Sequence, residues 1–243
     1  MVYYSQTPTP RAEREIFMNI QGAIFDMDGT LVDSLSFWDC FWSDMGKRYF
    51  DDPHFPMDVQ YFDVHVRTMI FSHAISHLHG YLNIPCTAEE FDDFAASYVH
   101  RFYSTVAKAK AGAYELLSAL RERGVRVCLA SATDRRYLNI ALESCGLAEF
   151  FTPETILSCS DIGVGKEKPD VFLAASRVLK TPISATAVFE DSALALETAK
   201  RAGFVTVGVY DSHQSAQERL RAASDLYLGE GKTLWDAMAH IQE

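Results

Sequence analysis

The sequence predicts an α/β protein, a three-layer core in which a parallel sheet lies between helices, with a helical segment inserted near its N-terminal end. Three observations predict it. From about Gly112 onward, short apolar runs alternate with helix-patterned segments, the order that builds parallel strands joined by crossover helices. One more apolar run, Gly22–Phe25, stands alone far ahead of them. Between the two, residues 31–109 are rich in aromatics and histidines at helical spacing and show no convincing strand.

Each element has its own signal. Residues 1–18 hold tyrosines, prolines and mixed charge without an apolar core, so they read as an N-terminal arm and not as a secretory signal. Gly22–Phe25 reads as a buried strand. In the inserted stretch Phe37 pairs with Phe41, Trp38 with Trp42 and Tyr98 with Phe102, each four residues apart, one helical turn. Residues 114–123 place Leu116, Leu117 and Leu120 on one face, end in arginines and stop at Gly124. The run 125–130 is a second buried strand. Residues 134–144 are helical, with Tyr137, Leu138, Ala141 and Leu142 on one side. A short strand follows at 155–159. A helix over 169–179 opens on Pro169, where a missing N–H is harmless. Residues 187–189 form a strand, and Ser192 caps a helix that ends at Gly203. Val205–Val209 and 225–228 complete the sheet. The expected organisation is an arm (1–18), an α/β core (19–30 and 110–243) and a helical cap (31–109). An insertion just after the first strand sits above the strand ends, where such sheets place their sites, and can close over them.

Composition narrows the partners. The 243 residues include 48% hydrophobic residues, enough for a full core, and the formal net charge is −11. That charge argues against nucleic acid or an anionic membrane as partner. An anionic substrate would then need a metal and well-placed lysines to reverse the field locally. Cys40, Cys86, Cys128, Cys145 and Cys159 are odd in number and scattered, the pattern of free thiols in a reducing, cytoplasmic setting. No apolar run reaches the length of a membrane span.

The chemistry concentrates where apolar runs end. The first run stops in Asp26-Met27-Asp28-Gly29. Strand side chains alternate in direction, so Asp26 and Asp28 can converge only where the strand breaks, and Gly29 permits that sharp exit. Two neighbouring carboxylates repel and call for a hard cation such as Mg2+. One can then attack while the other handles a proton. The second run leads into Ser131-Ala132-Thr133, a hydroxyl with backbone N–H groups at a loop-to-helix junction, suited to phosphate oxygens or to simple capping. In Gly163-Val164-Gly165-Lys166-Glu167-Lys168-Pro169 a lysine is fixed at a helix start. Lys168 is the expected partner of an anionic centre because proline stiffens its backbone, with Lys166 as the competitor. This stretch is not a Walker A loop, since Glu167 replaces the required Ser or Thr. The run ending in Glu190-Asp191-Ser192 offers Asp191 as a metal ligand and Glu190 as a water-linked or orienting carboxylate.

Phe25-Asp26-Met27-Asp28-Gly29-Thr30-Leu31-Val32-Asp33-Ser34 resembles motif one of the haloacid dehalogenase-like superfamily, and Ser131, Lys168-Pro169 and Glu190-Asp191-Ser192 resemble motifs two to four in order. The inserted helices are similar to the C1 cap of the phosphoglycolate phosphatase and beta-phosphoglucomutase branch. The resemblance implies a Rossmann-like core and an aspartyl-phosphate mechanism. Asp26 would be the nucleophile and Asp28 the general acid/base. Ser131, Ala132 and Lys168 would hold the phosphoryl group. Mg2+ would be bound by Asp26, the main-chain carbonyl of Asp28 and Asp191, with Glu190 near. The implied substrate is a small phosphorylated metabolite.

Departures from the pattern sort the branches. Ala195 and Ala111-Gly112 stand where the family has glycine and Pro-Gly. The mutase branch has a histidine twelve residues after its nucleophile, and Trp38 occupies that place, which favours hydrolysis over phosphomutase chemistry. Asp28 argues against dehalogenation. His73, His77 and His79 read as edge residues rather than a metal site, and Arg48, Arg67 and Arg101 are the cap cations available for a distal anion.

Overall fold

A computed structural model describes residues 18–56, 58, 61, 65, 66 and 69–242; the arm residues 1–17 and Arg67 lie outside them. In the main sheet β1 (Gly22–Phe25), β4 (Arg126–Ser131), β5 (Ile156–Ser158), β6 (Thr186–Glu190), β7 (Val205–Val209) and β8 (Leu226–Leu228) run in the order β5-β4-β1-β6-β7-β8. Every pairing in it is parallel. The first strand in the chain is therefore central. Its register sets Phe25 beside Leu129 on one side and Phe189 on the other, so β1, β4 and β6 end level with one another.

Alternation along the strands divides the core in two. Ala23, Phe25, Leu129, Phe189 and Val207 face one layer, packed with Leu116, Leu117 and Leu120 of α4 (Ala113–Glu122) and Tyr137 and Leu138 of α5 (Arg135–Ser144). Ile24, Cys128, Ala130 and Val188 face the other, against Val171, Phe172 and Ala175 of α7 (Asp170–Leu179) and Leu196 and Ala199 of α8 (Ala193–Arg201). Short α6 (Cys159–Ile162) precedes α7, and α9 (Gln217–Ala223) follows α8. Phe25 stacks on Phe189 with centroids 4.4 Å apart. Both are fully buried, and each such side chain contributes about 1.5–3 kcal/mol.

The inserted stretch holds α1 (Ser36–Phe50), α2 (Phe71–Leu82) and α3 (Ala88–Thr105). Phe37, Phe41, Phe91, Tyr98 and Phe102 pack between them. Thr87 opens α3 with a reciprocal cap. Its hydroxyl accepts from the Glu90 N–H at 3.2 Å, and the Glu90 carboxylate accepts from the Thr87 N–H at 2.8 Å. Two strands absent from the sequence reading frame this stretch. β2 (Val32–Asp33) and β3 (Lys108–Ala109) pair antiparallel, and two residues are too few to leave a periodic signal. Beyond β3, Lys110 is tied to Asp211 at 2.7 Å. The Phe71 N–H donates to the Ala132 carbonyl at 3.1 Å, joining α2 to the loop after β4. No helix among the described residues is long and apolar enough to cross a membrane.

Candidate active site

The level ends of β1, β4 and β6 bring the expected carboxylates together. Asp26 leaves β1 with its N–H still bonded to the Phe189 carbonyl at 3.0 Å, so it stays in strand register. The chain then turns through Gly29, whose φ is +79°. A Cβ there would meet Asp191 Oδ2 at 2.6 Å, so glycine is required both by conformation and by the closeness of the acid.

Asp26, Glu190 and Asp191 are all buried, and one carboxylate oxygen of each lies within 4.8 Å of the others. Such a set can hold a metal ion. Lys166 bridges two of the acids, donating to Asp26 Oδ1 at 2.5 Å and to Glu190 Oε1 at 2.8 Å, with Phe172 against its ammonium. One ammonium cannot neutralise three clustered carboxylates with Asp28 beside them, and a divalent cation fits the surplus charge and the all-oxygen donor set. The electrostatics agree. Burial pushes the Asp26 carboxyl up to about 7 despite the opposing Lys166 ammonium, with Glu190 and Asp28 adding to the rise. Burial opposes the charge on Lys166, yet Asp26 and Glu190 outweigh it and raise its pKa.

Lys166, not Lys168, therefore reaches the carboxylates. Lys168 is exposed. Its N–H bonds back to the Gly165 carbonyl at 3.3 Å, and the turn so closed points the two lysines apart. Glu190 has both oxygens engaged, the second accepting from the Ser192 N–H at 2.8 Å. Ser192 precedes α8 as expected, but its side chain makes no capping bond. Asp191 accepts from Thr30 Oγ1 at 3.3 Å and from the Gln214 side-chain amide.

Asp28 faces a different set. Its Oδ1 accepts from Ser34 Oγ and from the Tyr103 hydroxyl, both at 2.6 Å, and its Oδ2 from Thr133 Oγ1 at 2.8 Å. The Asp28 carboxylate thus lies beside the metal-holding group without being part of it; the resemblance places its main-chain carbonyl, not its carboxylate, among the ligands. Burial, then Asp28, drive the Tyr103 phenol well above its ordinary pKa, so it stays protonated and donates. Ser131 is buried, its Oγ accepting from the Thr133 N–H at 3.1 Å.

These groups share one cavity of about 80 Å³, room for several waters at about 10–15 Å³ each. Ser131, Ala132, Lys166 and the acids line its floor, and Leu35, Trp38, Val66, Met69 and Phe71 line its walls. Arg48 and Arg101, expected as candidates for a distal anion, lie instead at a separate surface cleft, stacked over Phe94 and Tyr98. His77 bonds the Tyr61 hydroxyl and His79 the Cys86 carbonyl, and the five cysteines are free. Sequence reasoning missed Tyr103 and Gln214, which carry no motif, and gave Thr133 only a capping role.

A parallel sheet that gathers an acid pair, a buried ammonium and a metal-holding cluster at its central strand ends defines an enzyme for an anionic reacting group. The chain belongs to the haloacid dehalogenase-like hydrolase family, whose family model matches residues 20–203. It is similar to glycerol-1-phosphate phosphohydrolase 1 of Saccharomyces cerevisiae, 26% identical and covering 82% of this chain and 78% of that one. It is also similar to a phosphorylated carbohydrates phosphatase of Thermotoga maritima, 25% identical over 84% of this chain and 92% of that one. Among solved structures, a conserved haloacid dehalogenase-like protein of Agrobacterium tumefaciens superposes with a TM-score of 0.66 at 26% identity, covering 86% and 92% of the two chains.

Proposed function

We propose that this chain is a Mg2+-dependent phosphatase that hydrolyses a small phosphorylated metabolite through an aspartyl-phosphate on Asp26, with residues 31–109 acting as a cap over the core. The observation that carries the reading is the Lys166 ammonium set between Asp26 and Glu190 beside Asp191. Relatives named for glycerol-1-phosphate and phosphorylated carbohydrates support the substrate class.

Asp26 attacks phosphorus, and its carboxylate must be ionised to do so. Lys166 keeps that charge tolerable in a buried setting and faces the negative charge of the transferring group. Asp28 gives a proton to the departing oxygen, then takes one from the water that opens the acyl phosphate. Ser131 and the backbone at Ala132 hold phosphoryl oxygens. Asp26, Asp191 and the Asp28 carbonyl would hold Mg2+, with Glu190 orienting Lys166; the ion supplies the charge neutralisation that lets two anions approach. Trp38 lies on the cavity wall, an apolar ring in the place where a mutase has its histidine, which supports hydrolysis.

The test is phosphate release from glycerol phosphates, sugar phosphates and p-nitrophenyl phosphate with Mg2+. Activity abolished by EDTA and by Asp26→Asn is expected. Turnover that survives Asp26→Asn overturns the reading.

A further inference from the structure

The acid/base carboxylate is held from three directions. Ser34 follows β2, Thr133 follows β4, and Tyr103 stands near the end of α3 in the inserted helices. A carboxylate offers about four lone-pair sites. Hydroxyls of these residues fill two on Oδ1 and one on Oδ2, which leaves one for the proton that Asp28 must exchange. Tyr103 is itself fixed. It is 7% exposed, and its main-chain carbonyl accepts from Ser144 Oγ of α5 at 2.6 Å.

We propose that Tyr103 is a positioning residue for Asp28: its hydroxyl holds the carboxylate where its free lone pair meets the leaving-group oxygen, so proton delivery depends on the docked inserted helices. The inference rests on the acid/base reading of Asp28. An alkoxide leaves only if it is protonated as the P–O bond breaks. Nitrophenolate leaves without a proton. A misplaced Asp28 therefore slows alkyl esters selectively.

The experiment compares kcat/KM, which reports the steps through leaving-group departure, for glycerol phosphate and p-nitrophenyl phosphate in Tyr103→Phe. Phenylalanine keeps the ring packing and removes only the donor. The alkyl ester is expected to fall about 10- to 100-fold, while the aryl ester changes less than about threefold. Equal losses on both esters would mark a structural role and overturn the proposal, as would no loss on either. Ser144→Ala loosens the Tyr103 backbone from an exposed position and touches nothing in the cavity. It should lower the alkyl-to-aryl ratio in the same direction, and it decides the matter if Tyr103→Phe does not fold; an unchanged ratio counts against the proposal. Failure of the phosphatase reading shows separately, as absence of phosphate release from both esters in the unmodified, Mg2+-supplied protein.

Discussion

Replacing Lys166 by methionine removes the ammonium and keeps most of the side-chain volume. The structure sets the magnitude. Lys166 is 3% exposed and bonded to two buried carboxylates. Removing one partner from a buried ion pair costs about 3–5 kcal/mol. Asp26 can recover part of this by taking a proton, since its pKa is already near 7, so a net loss of about 2–3 kcal/mol is expected, or roughly 4–12 °C in melting temperature for a chain of this size. Activity should fall further. A fixed positive group facing the developing charge is worth about 10²- to 10³-fold in kcat, and a protonated Asp26 is no nucleophile. The assay is steady-state phosphate release beside a thermal melt, with Lys168→Met as the comparison. Lys168 is exposed and its loss should stay within about 0.5 kcal/mol with activity retained. Near-normal turnover in Lys166→Met, with collapse in Lys168→Met, would refute the placement of the ammonium.

Other outcomes follow from the same geometry. In metal-free protein the folded state keeps a proton on Asp26 between its ordinary value of 3.8 and about 7, so this group's stabilisation is full below the lower value and lost as pH rises through the upper one. The melting temperature should drop by roughly 4–8 °C between about pH 5.5 and 8, and saturating Mg2+ should remove the drop; a flat or rising metal-free curve would contradict it. Gln214→Ala frees Asp191 from its amide donor and should weaken Mg2+ binding about 10-fold or more by calorimetry, whereas unchanged affinity would show that the amide has no part in orienting the ligand. Gly29→Ala forces a methyl against Asp191 and Leu35 at a left-handed position and should cost at least about 2 kcal/mol in a denaturation titration, so a variant as stable as the parent would mean that the loop can open at little cost.

Much of this was legible because the main strands leave strong apolar runs that end in polar residues. Asp26, Ser131 and Glu190 sit at such ends, and parallel register brings them level. The lysine was harder. Pro169 argued for Lys168 through backbone rigidity, but the turn closed by the Gly165 carbonyl decides which side chain faces inward, and glycines at 163 and 165 are the only local trace of that turn. Tyr103 follows Val99 at helical spacing, so it reads as cap core; nothing local says that its hydroxyl meets an acid 75 positions earlier. Thr133 hid behind a capping role, but Asp134 holds the N-cap position, without a side-chain bond, and the Thr133 hydroxyl donates to Asp28 instead. Gln214 lies in the loop beyond β7 with no pattern around it. The β2–β3 ribbon is too short for periodicity to register.

The central place of β1 has a kinetic consequence. This four-residue strand is flanked by β4 and β6, whose first residues lie more than a hundred positions downstream. Closing such long loops is slow. Refolding should therefore restore helical signal early, and the gathering of Asp26, Glu190 and Asp191 into one buried cluster should come among the last events, after both neighbours have zipped onto the first strand.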